Sequence, residues 1–345
     1  MVVADPAGTW TPPEPSAIPP GTFLIAVTSG TSGTPRPVAR TAASWTTSFA
    51  PLAQLAGINR HDRVLLTGPL HATLHLFAAV HTLAVGAELT DRPEHATALH
   101  GVPAVLARIL RDLPATAPLR SAIVAGSALP DDVAEAAHRR GIAVTEYYGA
   151  AELSFVAARR YPDNLQPFPG AQVQIRDGEL WVRSPYLVTG YLPGITGPFR
   201  RDESGFATVG DLAEQNPDGT LRVRGRGDAA ITTGGATVIA EDVEHALARL
   251  PGVAAVAVVG VPHPTLGQIV TAVIEPADRA DVSGLRTQAR ALLRDQSLPR
   301  RWLLADRLPR TAGGKIARHP ISSAAVAFSV GQPPPDGSHG LRPLP

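Results

Sequence analysis

Thr22-Phe23-Leu24-Ile25-Ala26-Val27-Thr28-Ser29-Gly30-Thr31-Ser32-Gly33-Thr34-Pro35-Arg36 decides how the rest of the chain is read. Thr22–Val27 is a short apolar run of the kind that forms a buried strand. The segment Thr28–Pro37 that follows is turn-rich, with hydroxyls and glycines closing on a cation. Such a loop after a strand has two readings. It is an ordinary surface loop, or it is a cradle in which glycine N–H groups and hydroxyls surround phosphate oxygens while a cation neutralises them. It is not a Walker A loop, because G-x-x-x-x-G-K-[ST] does not occur.

Downstream, apolar strand-like runs (Val64–Leu66, Ser121–Val124, Ala143–Tyr147) alternate with helical patterns (Leu74–Val85, Val102–Leu113, Asp131–Arg140). That alternation predicts a layered α/β domain. From Ala171 the pattern becomes antiparallel: Gln172–Arg176, Glu179–Arg183 and Leu221–Arg224, with Asp177-Gly178 and Asp218-Gly219 as turn signals. After Asp228 a compact α+β pattern follows. It comprises a helix (Glu241–Arg249), two strands (Val253–Val259, Ile269–Ile274), a helix (Ser283–Asp295) and a last strand (Trp302–Ala305). The expected organisation is a loose arm over 1–20, a large α/β domain with a β-rich subdomain over 21–227, a small α+β domain over 228–326 and a disordered tail over 327–345.

Composition bounds the function. The 345 residues are 44% hydrophobic and 18% charged, enough to bury a core. Thirty-one basic and 30 acidic side chains give a net charge of +1. No electrostatic footprint of a nucleic-acid binder is present. Cysteine is absent, which removes disulfides and thiol nucleophiles. No apolar run spans a membrane and Met1–Pro20 lacks the pattern of a signal peptide, so the expectation is a cytoplasmic protein without membrane contact. Of the basic side chains only Lys315 is a lysine. A lysine surviving so strong an arginine bias suggests a task that a guanidinium cannot perform.

Further motifs follow in order. Tyr148-Gly149-Ala150-Ala151-Glu152 combines a ring that can stack on a base, a turn glycine and a carboxylate suited to Mg²⁺ held with substrate phosphates. Val209-Gly210-Asp211 offers a carboxylate for ribose hydroxyls. Gly225-Arg226-Gly227-Asp228 precedes Gly234-Gly235, and Pro309–Arg318 contains Lys315. Taken singly, each is a strand end, a hairpin turn or a surface loop.

Together, in this order, they resemble the adenylate-forming superfamily of acyl- and aryl-CoA synthetases, peptide-synthetase adenylation domains and luciferases. The family loop T-S-G-[ST]-T-G-x-P-K-G is matched by Thr28–Pro37, Y-G-x-T-E by Tyr148–Glu152 and T-G-D by Val209–Asp211. The hinge G-R-x-D is matched by Gly225–Asp228 and P-x-T-x-x-G-K-x-x-R by Pro309–Arg318. The resemblance covers about Ile25–Arg318 and implies a small mobile C-terminal domain. It implies that Thr28, Ser29, Gly30, Thr31, Ser32, Gly33 and Arg36 hold the β- and γ-phosphates of ATP. By the same resemblance Gly126, Ser127 and Ala128 would lie beside adenine, Tyr148 would stack on it with Gly149 at the turn, and Glu152 would hold Mg²⁺. Asp211 and Arg226 would bind ribose, and Lys315 would bridge the carboxylate and the α-phosphate. Asp228 would be the hinge, and Gly234 and Gly235 would line the thiol tunnel.

The implied reaction is activation of a small carboxylic acid as its adenylate with pyrophosphate release, then transfer to the thiol of CoA. A carrier protein, an amine or nitrite is the alternative acceptor, and a non-catalytic nucleotide-binding relative is the alternative class. Three departures stand out. Only 27 residues precede the phosphate loop, so an acyl-pocket wall is expected to be open or supplied by a second chain in a homodimer. Ala151 replaces a threonine, and Arg36-Pro37 replaces Lys-Gly. Gly68–Phe77 matches the P-L-x-H region of CoA ligases, which implies that His71 borders the carboxylate. No aspartate stands where amino-acid-activating relatives carry one to pair the α-ammonium, so an amino acid is not expected. Tyr148–Phe155 is similar to the matching segment of short fatty-acyl-CoA-synthetase-like proteins, and an aromatic or medium-chain acid is the expected substrate. His71 and His75 have helical metal spacing, but a core or pocket histidine is the better reading.

Overall fold

The computed structural model describes residues 2–5, 11, 13–28, 36–226, 230–233, 236–278, 280–293, 295–311, 314–332 and 340–345. The chain divides into two compact units: Met1–Arg222 with Ala312–Lys315, and Val223–Thr311 with Ile316–Pro345.

The first unit is built on a seven-stranded sheet. Its strands run in the order Gln166–Pro167, Ser154–Arg160, Ala143–Ala150, Ser121–Ala125, Ala98–Gly101, Arg63–Leu66 and Glu88–Thr90. The last five of these are mutually parallel. Period-2 alternation explains why both faces are covered. Val64, Ala98 and Ile123 enter one buried cluster with Phe77 and Leu52. Their neighbours Leu65, Leu99, Ala122 and Val124 enter another with Leu106, Ile109 and Ala134. The helices Phe49–Ala56 and Thr73–Ala84 serve the first face, and Pro103–Asp112 and Asp131–Arg139 the second. Pro103 stands at the first turn of its helix, where a missing N–H costs nothing.

A second sheet pairs Thr22–Thr28 with Arg36–Thr41 in an antiparallel ladder from Thr22↔Thr41 to Thr28↔Arg36. Gly190–Tyr191 flanks it on one side. A third, antiparallel sheet grows from the hairpin Gln172–Arg176/Glu179–Arg183. Asp177 (φ +51°) and Gly178 (φ +80°) both adopt the left-handed backbone that a two-residue turn of matching twist requires. The strand Leu221–Arg226 carries the chain across the unit boundary.

The second unit folds around the long hairpin Val253–His263/Gly267–Pro276. Arg301–Leu304 adds in parallel, and Ala240–Ala248, Leu285–Leu292 and Arg318–Ser329 are its helices.

Both chain ends depart from expectation. Val2–Ala4 lies parallel to Leu24–Ala26, with Ala4 fully buried, rather than trailing as a loose arm. At the other end, where a tail from 327 was expected, the helix runs on to Ser329, and Arg342–Pro343 pairs with Leu303–Leu304. Leu344 is buried in the core, and its N–H donates to the Trp302 carbonyl at 3.1 Å. In each case an open sheet edge supplies the partner that the local composition does not reveal.

Candidate active site

The carboxyl ends of the parallel strands converge on one edge of the main sheet, the usual place for a ligand in an open α/β fold. The Gly68–Ala72 turn follows Arg63–Leu66, Gly126 follows Ser121–Ala125, and Tyr148 to Glu152 end and follow Ala143–Ala150. Ala125 is in register with Tyr147. Gly126 and Tyr148 therefore each follow a paired residue on neighbouring strands.

Tyr148 and Asp211 meet. The phenol donates to Asp211 Oδ2, and Asp211 is buried at the start of Asp211–Gln215. Gly210 takes φ +83° to turn the chain into that strand. Gly149 is a steric requirement. The ladder to Ser154–Arg160 slips between Tyr148 and Gly149, and a Cβ at Gly149 would lie 1.8 Å from the Ser154 carbonyl oxygen.

Glu152 is 4% exposed. Its Oε1 accepts from the Tyr191 hydroxyl at 2.9 Å, and its carbonyl accepts from the Val188 N–H at 3.0 Å. Burial, reinforced by the Glu152 charge, holds the Tyr191 phenol well above its ordinary value; the Phe199 N–H and the Arg36 charge oppose this. Arg36, Tyr191 and Glu152 are thus electrostatic neighbours. Beneath them lies Arg40, buried, with Nη2 donating to the Ala151 carbonyl at 2.8 Å and Nη1 to the Tyr186 carbonyl at 2.8 Å. Burial pulls the Arg40 guanidinium down from its ordinary value, and the Glu152 charge opposes that drop.

Lys315 belongs to the first unit and lies over Gly126. A Cβ at Gly126 would come within 2.6 Å of Lys315 Cε and 3.5 Å of Nζ, and Gly126 has φ +94°. Ser127 and Ala128 are exposed. Leu129 is pinned by donating its N–H to Glu146 Oε1 at 2.9 Å.

His71 is exposed on the turn before Thr73–Ala84. His75 is buried under Gly68, its Nδ1 3.1 Å from the Thr67 hydroxyl. Burial, then the charge of His71, lowers its pKa. Among the described residues no group of three or more histidine, aspartate or glutamate side chains could hold a metal.

The structure therefore brings together Tyr148 with Asp211, Glu152 with the neighbourhood of Arg36, and Gly126 with Lys315. Ser29, Gly30, Thr31, Ser32, Gly33, Asp228, Gly234 and Gly235 lie outside the described residues. Thr28 and Arg226 are described only as backbone, at the ends of their strands. Sequence reasoning passed over Arg40 and Tyr191. A charge inside the otherwise apolar Pro37-Val38-Ala39-Arg40 was the available signal for the first.

Residues 3–192 match the family model of AMP-binding enzymes, and residues 242–315 match that of the AMP-binding enzyme C-terminal domain. An uncharacterized acyl–CoA ligase of Bacillus subtilis is 30% identical over 353 residues, covering 91% of this chain and 70% of the relative. A sulfoacetate–CoA ligase of Cupriavidus necator is 30% identical over 358 residues, covering 91% and 68%. Among solved structures, the amide bond synthetase McbA from Marinactinospora thermotolerans superposes with a TM-score of 0.75 at 28% identity, covering 88% of this chain and 69% of that one.

Proposed function

Since this chain belongs to the AMP-binding enzyme family, we infer that it is an ATP-dependent acid–thiol ligase. A carboxylate oxygen attacks the α-phosphorus of ATP, the bond to pyrophosphate breaks, and an acyl-adenylate forms. A thiol then attacks the acyl carbon, loses its proton to solvent and releases AMP.

The observation that carries this reading is the meeting, on one sheet edge, of Tyr148 with Asp211 and of Gly126 with Lys315. Tyr148 stacks on adenine, and Asp211, already held by the phenol, accepts from ribose hydroxyls. Gly126, at φ +94°, lets the nucleotide approach the backbone closely, and a Cβ there would lie 2.6 Å from Lys315 Cε. Lys315 sits between the acid carboxylate and the α-phosphate and stabilises the charge that builds as the new bond forms. A compact ammonium serves two oxygens there better than a planar fork. Arg36 neutralises the outer phosphates, and His71 borders the acid.

Glu152 fits a Mg²⁺ carried in by the nucleotide. It offers a hard carboxylate oxygen that belongs to no cluster of three or more histidine, aspartate or glutamate ligands among the described residues, which suits a Mg²⁺ whose shell phosphates and water complete. Bound there, the ion neutralises charge on the phosphates. Tyr191 fixes the orientation of that carboxylate.

The thiol is that of CoA or of a carrier-bound pantetheine. A second reading, favoured by the likeness to an amide bond synthetase, keeps the adenylate and replaces the thiol with an amine. AMP release measured with ATP, Mg²⁺ and acid, with CoA or an amine added, tests these readings. Acceleration by CoA supports the first, acceleration by the amine supports the second, and no AMP with either refutes both.

A further inference from the structure

Arg40 is a charge buried in a strand where an apolar residue would fold at lower cost. Its fork reaches three other segments. Nη1 donates to the Tyr186 carbonyl at 2.8 Å, to Ser44 Oγ at 3.1 Å and to the Ser44 carbonyl at 3.4 Å. Nη2 donates to the Ala151 carbonyl at 2.8 Å. Nε has no hydrogen-bond partner among the described residues. The same strand, Arg36–Thr41, begins at Arg36 directly after the phosphate-loop segment.

The peptide held by Nη2 is the one that leads into Glu152. Three contacts therefore converge on this residue: Arg40 on the carbonyl before it, Val188 on its own carbonyl and Tyr191 on its carboxylate. Of these donors only Arg40 carries a charge, opposite in sign to the buried carboxylate. The turn itself has lost a side-chain hydroxyl option at Ala151, so its placement depends on what grips its backbone.

We propose that Arg40 is a positioning residue for the adenylating reaction: its guanidinium holds the Ala151–Glu152 turn and supplies the counter-charge that lets Glu152 serve nucleotide-bound Mg²⁺. The proposal rests on the ligase reading and adds a residue to it. Lysine cannot replace it fully, because one ammonium cannot span the Ala151 and Tyr186 carbonyls as a planar fork does.

The test measures ATP affinity by equilibrium dialysis with labelled ATP, once with Mg²⁺ and once with EDTA. Wild type is compared with Arg40→Met, Arg40→Lys and Glu152→Gln, with thermal midpoints recorded for each. Wild type is expected to bind ATP about tenfold more tightly with Mg²⁺ than without. Glu152→Gln and Arg40→Met lose that increment, and Arg40→Lys falls between.

A folded Arg40→Met protein with the full Mg²⁺ increment overturns the proposal. So does an equal loss of affinity in both media, or an increment that survives in Glu152→Gln. If Arg40→Met does not fold, Arg40→Lys decides, and a wild-type increment in that variant overturns the proposal. Absence of ATP binding by wild type in either medium is a separate result, which refutes the ligase reading and removes the basis for this one.

Discussion

Gly149→Ala tests how the nucleotide edge is built. The added methyl would sit 1.8 Å from the Ser154 carbonyl oxygen and 2.9 Å from its carbon. Both obstacles are backbone, so no side chain can swing aside, and the two strands must part by more than about 1 Å to restore contact distance. Overpacking of this kind costs about 1–3 kcal/mol. Opening the ladder at Gly149↔Phe155 and Ala150↔Ser154 adds about 0.5–1.5 kcal/mol per lost hydrogen bond. A total of about 3 kcal/mol in a unit of this size lowers its thermal midpoint by about 6–12 °C. Because Gly149 lies between Tyr148 and Glu152, ATP affinity should also fall at temperatures where the variant is folded.

Gly141→Ala is the control. Gly141 has φ +73° but open space where a Cβ would go. It carries only the conformational cost of about 1–2 kcal/mol and should leave ATP binding intact. Circular dichroism melts and labelled-ATP dialysis read both variants. A Gly149→Ala midpoint within about 2 °C of wild type, or a larger loss in Gly141→Ala, refutes the steric argument.

Tyr191→Phe removes a hydrogen bond to a buried carboxylate, and pyrophosphate release should fall about 10–150-fold, from about 1.5–3 kcal/mol; an unchanged rate would show that the carboxylate needs no such partner. Phe77→Ala empties the centre of a ring cluster formed with Trp45, Phe49, His81, His100 and Phe155, and should cost about 3–5 kcal/mol in a denaturant titration. His100 is pushed down to about 3 by burial, with the charges of His81 and His75 adding to the shift. Its folded pKa lies below the unfolded value, so the stability it contributes is present above the ordinary histidine pKa and is lost as pH falls from there towards about 3. His100→Phe should flatten the decline of the thermal midpoint over that window, and an identical slope would exclude His100 as its source.

The alternation of apolar runs with helical patterns was readable because each element makes its own period. Asp177-Gly178 was readable because a two-residue turn needs left-handed backbone at both positions. The resemblance assigns Tyr148 to adenine and Asp211 to ribose, but the direct hydrogen bond between the two side chains, 63 residues apart, is no part of that reading. What else escaped the reading is also non-local. Arg40 finds its carbonyl partners 111 and 146 residues away, and Tyr191 meets Glu152 across 39. No local pattern states that an arginine will be buried or which carbonyls will accept from it. The chain ends escaped for a related reason: Val2–Ala4 and Arg342–Pro343 become strands because of the edges beside them, not because of their own composition.

The central claim is that this chain activates a carboxylic acid with ATP and that Lys315 stabilises the reacting charge. The most direct measurement is pyrophosphate release with ATP and Mg²⁺ across aryl, short-, medium- and long-chain acids, with and without CoA, beside Lys315→Ala. The account predicts acid-dependent release that falls about 10²–10³-fold in the variant, with AMP turnover rising when CoA is added. Release that is undiminished in Lys315→Ala, or ATP binding without pyrophosphate release for every acid, would contradict it.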